Sequence, residues 1–149
     1  MLTINRTTSN NTDFQQLVAQ LDAYLRVMDG DEHSFYAQYN KIDMLQHVVL
    51  CYNDEVAVAC GAFKKYDEES VEIKRMFVVP EFRGKGAAAA VLSELERWAI
   101  ELNYNSTVLE TGKRQVEAVK FYQKSGYSVI PNYGQYIGIE NSVCMQKLL

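Results

Sequence analysis

The sequence predicts a mixed α/β fold, with one sheet carrying helices on its faces in the order β-α-α-β-β-β-α-β-α-β-β. Three observations predict it. Apolar runs of strand length alternate with stretches whose apolar residues recur every three to four positions. Three of the strand-like runs, between residues 46 and 79, are joined by short polar connections and read as an antiparallel meander. A glycine-rich turn then joins the third of these strands to a long helix.

Residues 2–6 (LTINR) alternate as a short strand does. Thr12 and Gln15 have the spacing of a capping box, so a helix is expected to open at Thr12. Phe14, Leu17, Val18, Leu21, Tyr24, Leu25 and Met28 give it one apolar stripe, and Gly30 ends it. A short helix is expected over 31–40, carrying Phe35, Tyr36 and Tyr39. Residues 46–52, 55–65 and 70–79 are the meander, turning at Asn53-Asp54 and near Asp67-Glu68-Glu69. Gly61 inside the second strand signals a bulge or a close backbone contact. Pro80 ends the third.

The following helix is about 15–18 residues long by its periodicity. Its stripe is Val91, Leu92, Leu95, Trp98, Ala99 and Leu102, and Asn103-Tyr104-Asn105 breaks it. Residues 106–110 read as a short buried strand. A helix from about Arg114 to Lys124 ends at Gly126, a left-handed cap. Residues 127–131 and 142–148 are the last strands.

The chain has 149 residues, 48% of them hydrophobic, which suits one domain over 1–149. Its net charge of −4 argues against a nucleic-acid face. No run has the length of a membrane-spanning helix, and the first ten residues lack an apolar signal core, so neither membrane nor nucleic acid is an expected partner. Cytoplasmic residence is expected, and a homodimer is left open. Cys51, Cys60 and Cys144 lack metal or redox spacing, and Cys51 and Cys60 sit in apolar runs as small hydrophobes. His33 and His47 stand far apart, so no metal is expected.

The turn Arg83-Gly84-Lys85-Gly86-Ala87-Ala88 carries the strongest chemical signal. It presents free backbone N–H groups at a helix start, where the dipole also favours an anion. The two glycines permit unusual dihedrals, the alanines keep the first turn slim, and Arg83 and Lys85 add positive charge. A Walker loop would need Ser or Thr after Lys85, where Gly86 stands. Gly84, Gly86 and Ala89 weakly fit a dinucleotide loop, but that loop leaves its strand directly and opens a parallel βαβ unit. Here Pro80 to Arg83 intervene after an antiparallel meander.

Arg83-x-x-Gly86-x-Ala88 resembles the Q/R-x-x-G-x-G/A signature of the GNAT superfamily of N-acetyltransferases. The resemblance covers about residues 46–130. It includes MFVVPEFRGKG, the long helix, LETG, and AVKFYQKSGY, which is similar to the family's A-x-x-hydrophobic-Y-x-x-x-G-F/Y helix.

The resemblance implies a GNAT-like acyl-CoA N-acyltransferase fold and acetyl-CoA as co-substrate. Its pantetheine arm would add along a splayed strand edge at Met76, Phe77 and Val78, and its pyrophosphate would meet the amides of Arg83, Gly84, Lys85, Gly86, Ala87 and Ala88. Tyr122 matches the tyrosine that protonates the departing thiolate. Gln115 stands where the family often has a cofactor-contacting asparagine.

An alkyl ammonium, with pKa ~10.4, must lose a proton before it attacks a thioester, and a carboxylate is the usual remedy. Glu72 and Glu110 match the bases of two branches of the family. Glu72 shares its strand with Lys74 and Arg75, so a surface salt bridge is its competing role. Glu110 ends an apolar strand, a costly place for a charge without a task. Glu72 is placed first, and both stay open.

The function implied is acetyl transfer from acetyl-CoA to a primary amine of a small or peptide acceptor, by direct attack in a ternary complex. An acyl-CoA-binding module without turnover is the alternative, and a nucleotide-binding oxidoreductase is weaker. The tail 131–138, rich in tyrosine and free of acid, is expected to overhang the acceptor site and to favour a small acceptor.

Overall fold

The computed structural model describes residues 1–37 and 44–149. Its elements follow the expected order: β1 (Leu2–Thr7), α1 (Thr12–Asp29), a 3-10 turn (Gly30–Glu32), α2 (His33–Ala37), β2 (His47–Asn53), β3 (Val56–Lys65), β4 (Ser70–Val78), a 3-10 turn (Pro80–Phe82), α3 (Ala87–Glu101), β5 (Ser106–Gly112), α4 (Val116–Lys124), β6 (Ser128–Ile130), a 3-10 turn (Gly134–Tyr136) and β7 (Ser142–Leu148). Tyr39, expected on the second helix, lies outside the described residues.

The described strands form one sheet in the order β1-β2-β3-β4-β5-β7-β6. The meander β2-β3-β4 is antiparallel, and β1 adds to β2. β4 and β5 are parallel, as a crossover through α3 requires. β7 enters antiparallel between β5 and β6.

The first helix is capped differently from the expected box. Asn11, not Thr12, is the cap: its side chain accepts from the amides of Asp13 (2.8 Å) and Phe14 (3.1 Å). Gln15 turns back to donate to the Ser9 carbonyl at 3.1 Å. The Asn11 side chain, one position earlier, satisfies the two orphan amides without help from Gln15.

α1 packs on β3 and β4, and α3 packs on β1 to β4. Phe14, Leu17, Val18 and Leu21 are the buried stripe of α1; Ala87, Val91, Leu92, Leu95 and Ala99 are that of α3. Fully burying a side chain such as Leu95 contributes about 1.5–3 kcal/mol. Leu102, expected on this stripe, is exposed, because it lies past the helix end as its C-terminal cap.

Gly61 satisfies both sequence expectations. The β3–β4 register jumps from Cys60↔Phe77 to Ala62↔Lys74, so Arg75 and Met76 bulge opposite Gly61. A Cβ on Gly61 would lie 2.4 Å from Met76 Sδ and 2.9 Å from Val91 Cγ1. Only glycine lets β4 and α3 approach β3 this closely. No helix among the described residues is long and apolar enough to cross a membrane.

Candidate active site

β4 and β5 run paired only from Ser70↔Ser106 to Glu72↔Val108. Beyond that, β4 continues to Val78 and β5 to Gly112 without pairing to each other. The bulge at Arg75 and Met76 bends β4 just past the last pair, so the strands part. Past Glu72 the inner edge of β4 has no strand partner among the described residues, and within its run Met76–Val78 the Val78 carbonyl is taken by Arg83 Nε.

A cleft of about 120 Å³ sits at this parting. Its lining brings together Glu72 and Met76 of β4, Glu110 of β5, Gln115 before α4 and Tyr122 of α4. These five come from stretches separated by up to 50 residues of chain. Leu21 and Leu25 of α1 also line it. Phe77 faces the core and Val78 is half-buried further along β4. The turn Arg83–Ala88 is not part of the cleft lining; it follows the far end of β4.

At that turn Gly84 and Gly86 have φ of 78° and 86°, the left-handed region that favours glycine. A Cβ on either would meet nothing within 4 Å, so the space over the turn is open. The amides of Gly84 to Ala89 have no backbone acceptor among the described residues. Free amides at a helix start, together with the helix dipole, suit an anion. Arg83 packs its guanidinium over the rings of Tyr24 (5.4 Å) and Phe77 (5.9 Å), and its Nε donates to the Val78 carbonyl at 3.2 Å. Lys85 Nζ lies 4.8 Å from the Phe82 ring centre. Both cations are thereby held beside these amides.

The two candidate carboxylates differ in setting. Glu72 is 4% exposed, not on the surface. Its Oε2 accepts from the Tyr133 hydroxyl at 2.7 Å, and its Oε1 lies 3.9 Å from Lys74 Nζ. The ion pair expected with Lys74 is therefore present but buried, because β4 is central in the sheet. Glu110 is half-buried in a cleft it shares with Lys74, Asp29 and Glu72. Burial, more than any neighbouring charge, pushes its carboxyl from the ordinary 4.5 up to about 7. Burial likewise pulls the Lys74 ammonium down and pushes the Tyr122 hydroxyl up.

Several cleft residues carried no earlier signal. Asp29, buried at the end of α1, and Arg75 line the cleft, as does Tyr36. Asp29 directly precedes the helix-ending Gly30, and Arg75 read as an ordinary strand cation. The tail 131–138 does reach the cleft: Tyr136 lines it, and Tyr133 holds Glu72 while packing edge-on against Tyr66 (4.9 Å) and Tyr136 (5.9 Å).

All three thiols are buried, and burial raises each: Cys60 to about 12, Cys144 to about 11, and Cys51 in the same direction. None lines the cleft. None is a ready nucleophile.

The family model of the acetyltransferase (GNAT) family matches residues 14–127. An IAA acetyltransferase of Azospirillum brasilense is 30% identical over 142 residues, covering 90% of this chain and 89% of its own. Among solved structures, a Klebsiella pneumoniae protein assigned as an acyl-CoA N-acyltransferase superposes with a TM-score of 0.83 at 28% identity, over 100% of this chain and 98% of that one. A GNAT acetyltransferase of Elizabethkingia anophelis, solved with acetyl-CoA bound, shares the fold with a TM-score of 0.69 at 18% identity, over 99% and 98%. The parted strands, the glycine turn at the start of α3 and the match over residues 14–127 agree: the chain belongs to the acetyltransferase (GNAT) family.

Proposed function

We propose that residues 1–149 act as one domain that moves the acetyl group of acetyl-CoA onto a primary amine of a small acceptor, by direct attack in a ternary complex. The observation that carries this is the single cleft shared by Glu72, Met76, Glu110, Gln115 and Tyr122 where β4 and β5 part. The pantetheine arm pairs with the open edge of β4 at Met76–Val78, by the same backbone bonding that adds a strand to a sheet. The pyrophosphate lies on the amides of Gly84 to Ala88, the Arg83 amide being already given to the Pro80 carbonyl, and Gln115 faces the thioester end. The relative solved with acetyl-CoA bound is consistent with this.

In the reaction, Glu110 takes a proton from the acceptor ammonium. The amine nitrogen then bonds to the thioester carbonyl carbon, the C–S bond breaks, and the Tyr122 hydroxyl gives its proton to the sulfur. Glu110 is favoured over Glu72 as base because a carboxyl near 7 is both ionised at neutral pH and basic enough to accept a proton. Glu72 is already engaged by Tyr133 and Lys74. Its charge then serves to fix Tyr133 and the tail.

CoA release measured with acetyl-CoA and a panel of small amines tests the reading. Turnover supports it; tight acetyl-CoA binding with no turnover on any amine would leave only a binding module. Direct transfer predicts intersecting lines in two-substrate initial-rate plots, and no acetylated Cys51, Cys60 or Cys144 by mass spectrometry. Parallel lines with an acetyl-cysteine that forms fast enough would overturn it.

Gly86→Val tests the pyrophosphate site. A β-branched residue is strained at φ 86°, so the turn must rearrange and its amides lose their aim. The expected result is an acetyl-CoA Kd at least tenfold higher, about 1.4 kcal/mol, in a variant with the parent's circular dichroism. An unchanged Kd in a folded variant removes the turn from the site.

A further inference from the structure

Arg75 is the part of the cleft wall that acetyl transfer leaves unexplained. It sits in the β4 bulge at φ 60°, a left-handed conformation uncommon for a residue with a side chain. Its side chain is 2% exposed, and the residue lines the cleft. One prong, Nη2, meets Asp22 Oδ1 at 2.5 Å. Nε and Nη1 are shut from solvent and have no hydrogen-bond partner among the described residues.

A guanidinium does not lose its proton, so this cation cannot lower the cost by neutralising itself. A buried charged donor left without an acceptor is expensive, so an acceptor that reached it would be bound favourably. Nε with Nη2, or Nη1 with Nη2, forms a fork that matches a carboxylate in two parallel bonds. Asp22 meets one prong of it. Its side chain is 53% exposed on α1, with solvent room to swing away.

The cleft wall is divided by charge. Arg75 and Lys74 supply cations; Glu110, Glu72 and Asp29 supply carboxylates. Lys74 is already engaged with Glu72, so among the described residues of the cleft Arg75 is the cation with donors to spare. A small cleft with both signs fits a small ligand with both signs. We propose that the acceptor is a zwitterion of amino-acid type. Its carboxylate takes a fork of Arg75 in place of Asp22, and its amine faces Glu110. This rests on the acetyl-transfer reading above. It narrows the acceptor from any small amine to one carrying a carboxylate close to the amine.

The test compares three matched acceptor sets with acetyl-CoA: amino acids, their α-carboxamides, and the amines lacking that carbon altogether. Values of kcat/KM for the acids are expected to exceed those for the amides and amines at least tenfold, about 1.4 kcal/mol. In Arg75→Gln the ratio of acid to amide should fall toward one. A merely structural Arg75 would lower both alike and leave the ratio. Asp22→Asn removes the competing carboxylate and should lower KM for the acids severalfold. This variant also carries the test if Arg75→Gln does not fold. An Asp22→Asn KM that is unchanged or higher would overturn the proposal. So would a parent enzyme that acetylates amides and plain amines as well as acids, although acetyl transfer would then stand. Transfer to none of the three sets would instead remove the acetyl-transfer reading itself.

Discussion

Tyr122→Phe is expected to lower kcat by ~10²-fold or more while the acetyl-CoA Kd stays within about threefold. The substitution removes one oxygen and keeps the ring, so packing against Phe121 (5.2 Å) and Tyr127 (5.7 Å) survives. What disappears is a proton held where the thiolate departs. Burial pushes the Tyr122 hydroxyl above the ordinary 10, so it is protonated at every pH at which the acceptor reacts. A phenol of this kind has no value as a base in the resting enzyme. It becomes useful only when the departing thiolate forms beside it, where the same burial that raises the phenol also raises the basicity of the sulfur. The interaction is therefore made in the transition state rather than with bound acetyl-CoA, and kcat should fall without a matching change in affinity. Single-turnover rates and calorimetric Kd values separate the two quantities. A loss under about fivefold would mean that Tyr122 only fills space at 8% exposure.

The strands and helices were legible because each announces itself locally. Gly61 stood out as a glycine within VAVACGAF, and the turn at Gly84 and Gly86 by its place before a long apolar stripe. What was not legible arises between segments. The parting of β4 from β5 leaves each strand's own pattern unchanged, and the insertion of β7 between β5 and β6 is a choice of neighbour. Glu72 shows the same limit. In SVEIKR the alternation reads as a strand with charges turned outward, yet β4 is central and covered, so Glu72 is buried and bound by a tyrosine 61 residues away. Arg75 was invisible for the opposite reason: a left-handed arginine in a bulge follows no local preference, and the register that imposes it belongs to the pairing with β3. At Asn11 and Thr12 two capping residues stand side by side, and only the path of the chain from β1 decides between them.

Glu110→Gln is expected to lose ~10²-fold or more in kcat/KM at pH 7 and to recover part of it by pH 9. Glutamine keeps the size of the side chain but cannot take a proton. At higher pH the acceptor supplies its own neutral fraction, since an alkyl ammonium loses its proton near ~10.4. The parent enzyme should show a limb in its pH–rate profile that rises through about 7, where Glu110 ionises, and the variant should lack it. Glu72→Gln should keep that limb, because its carboxylate holds Tyr133 rather than the substrate proton. Stability gives an independent check of opposite sign. The folded state holds the Glu110 proton more tightly than the unfolded chain, about 7 against 4.5. The stability this contributes is full below 4.5 and is lost as pH rises through 7. Glu110→Gln removes that loss. The variant should therefore be more stable than the parent at pH 8, by on the order of 2 kcal/mol once the partial exposure of Glu110 is allowed for, and the gain should vanish at pH 4. Urea unfolding at the two pH values measures it. A variant that is less active and also less stable at pH 8 would make Glu110 a structural carboxylate. A rising limb that disappears in Glu72→Gln and persists in Glu110→Gln would pass the role of base to Glu72.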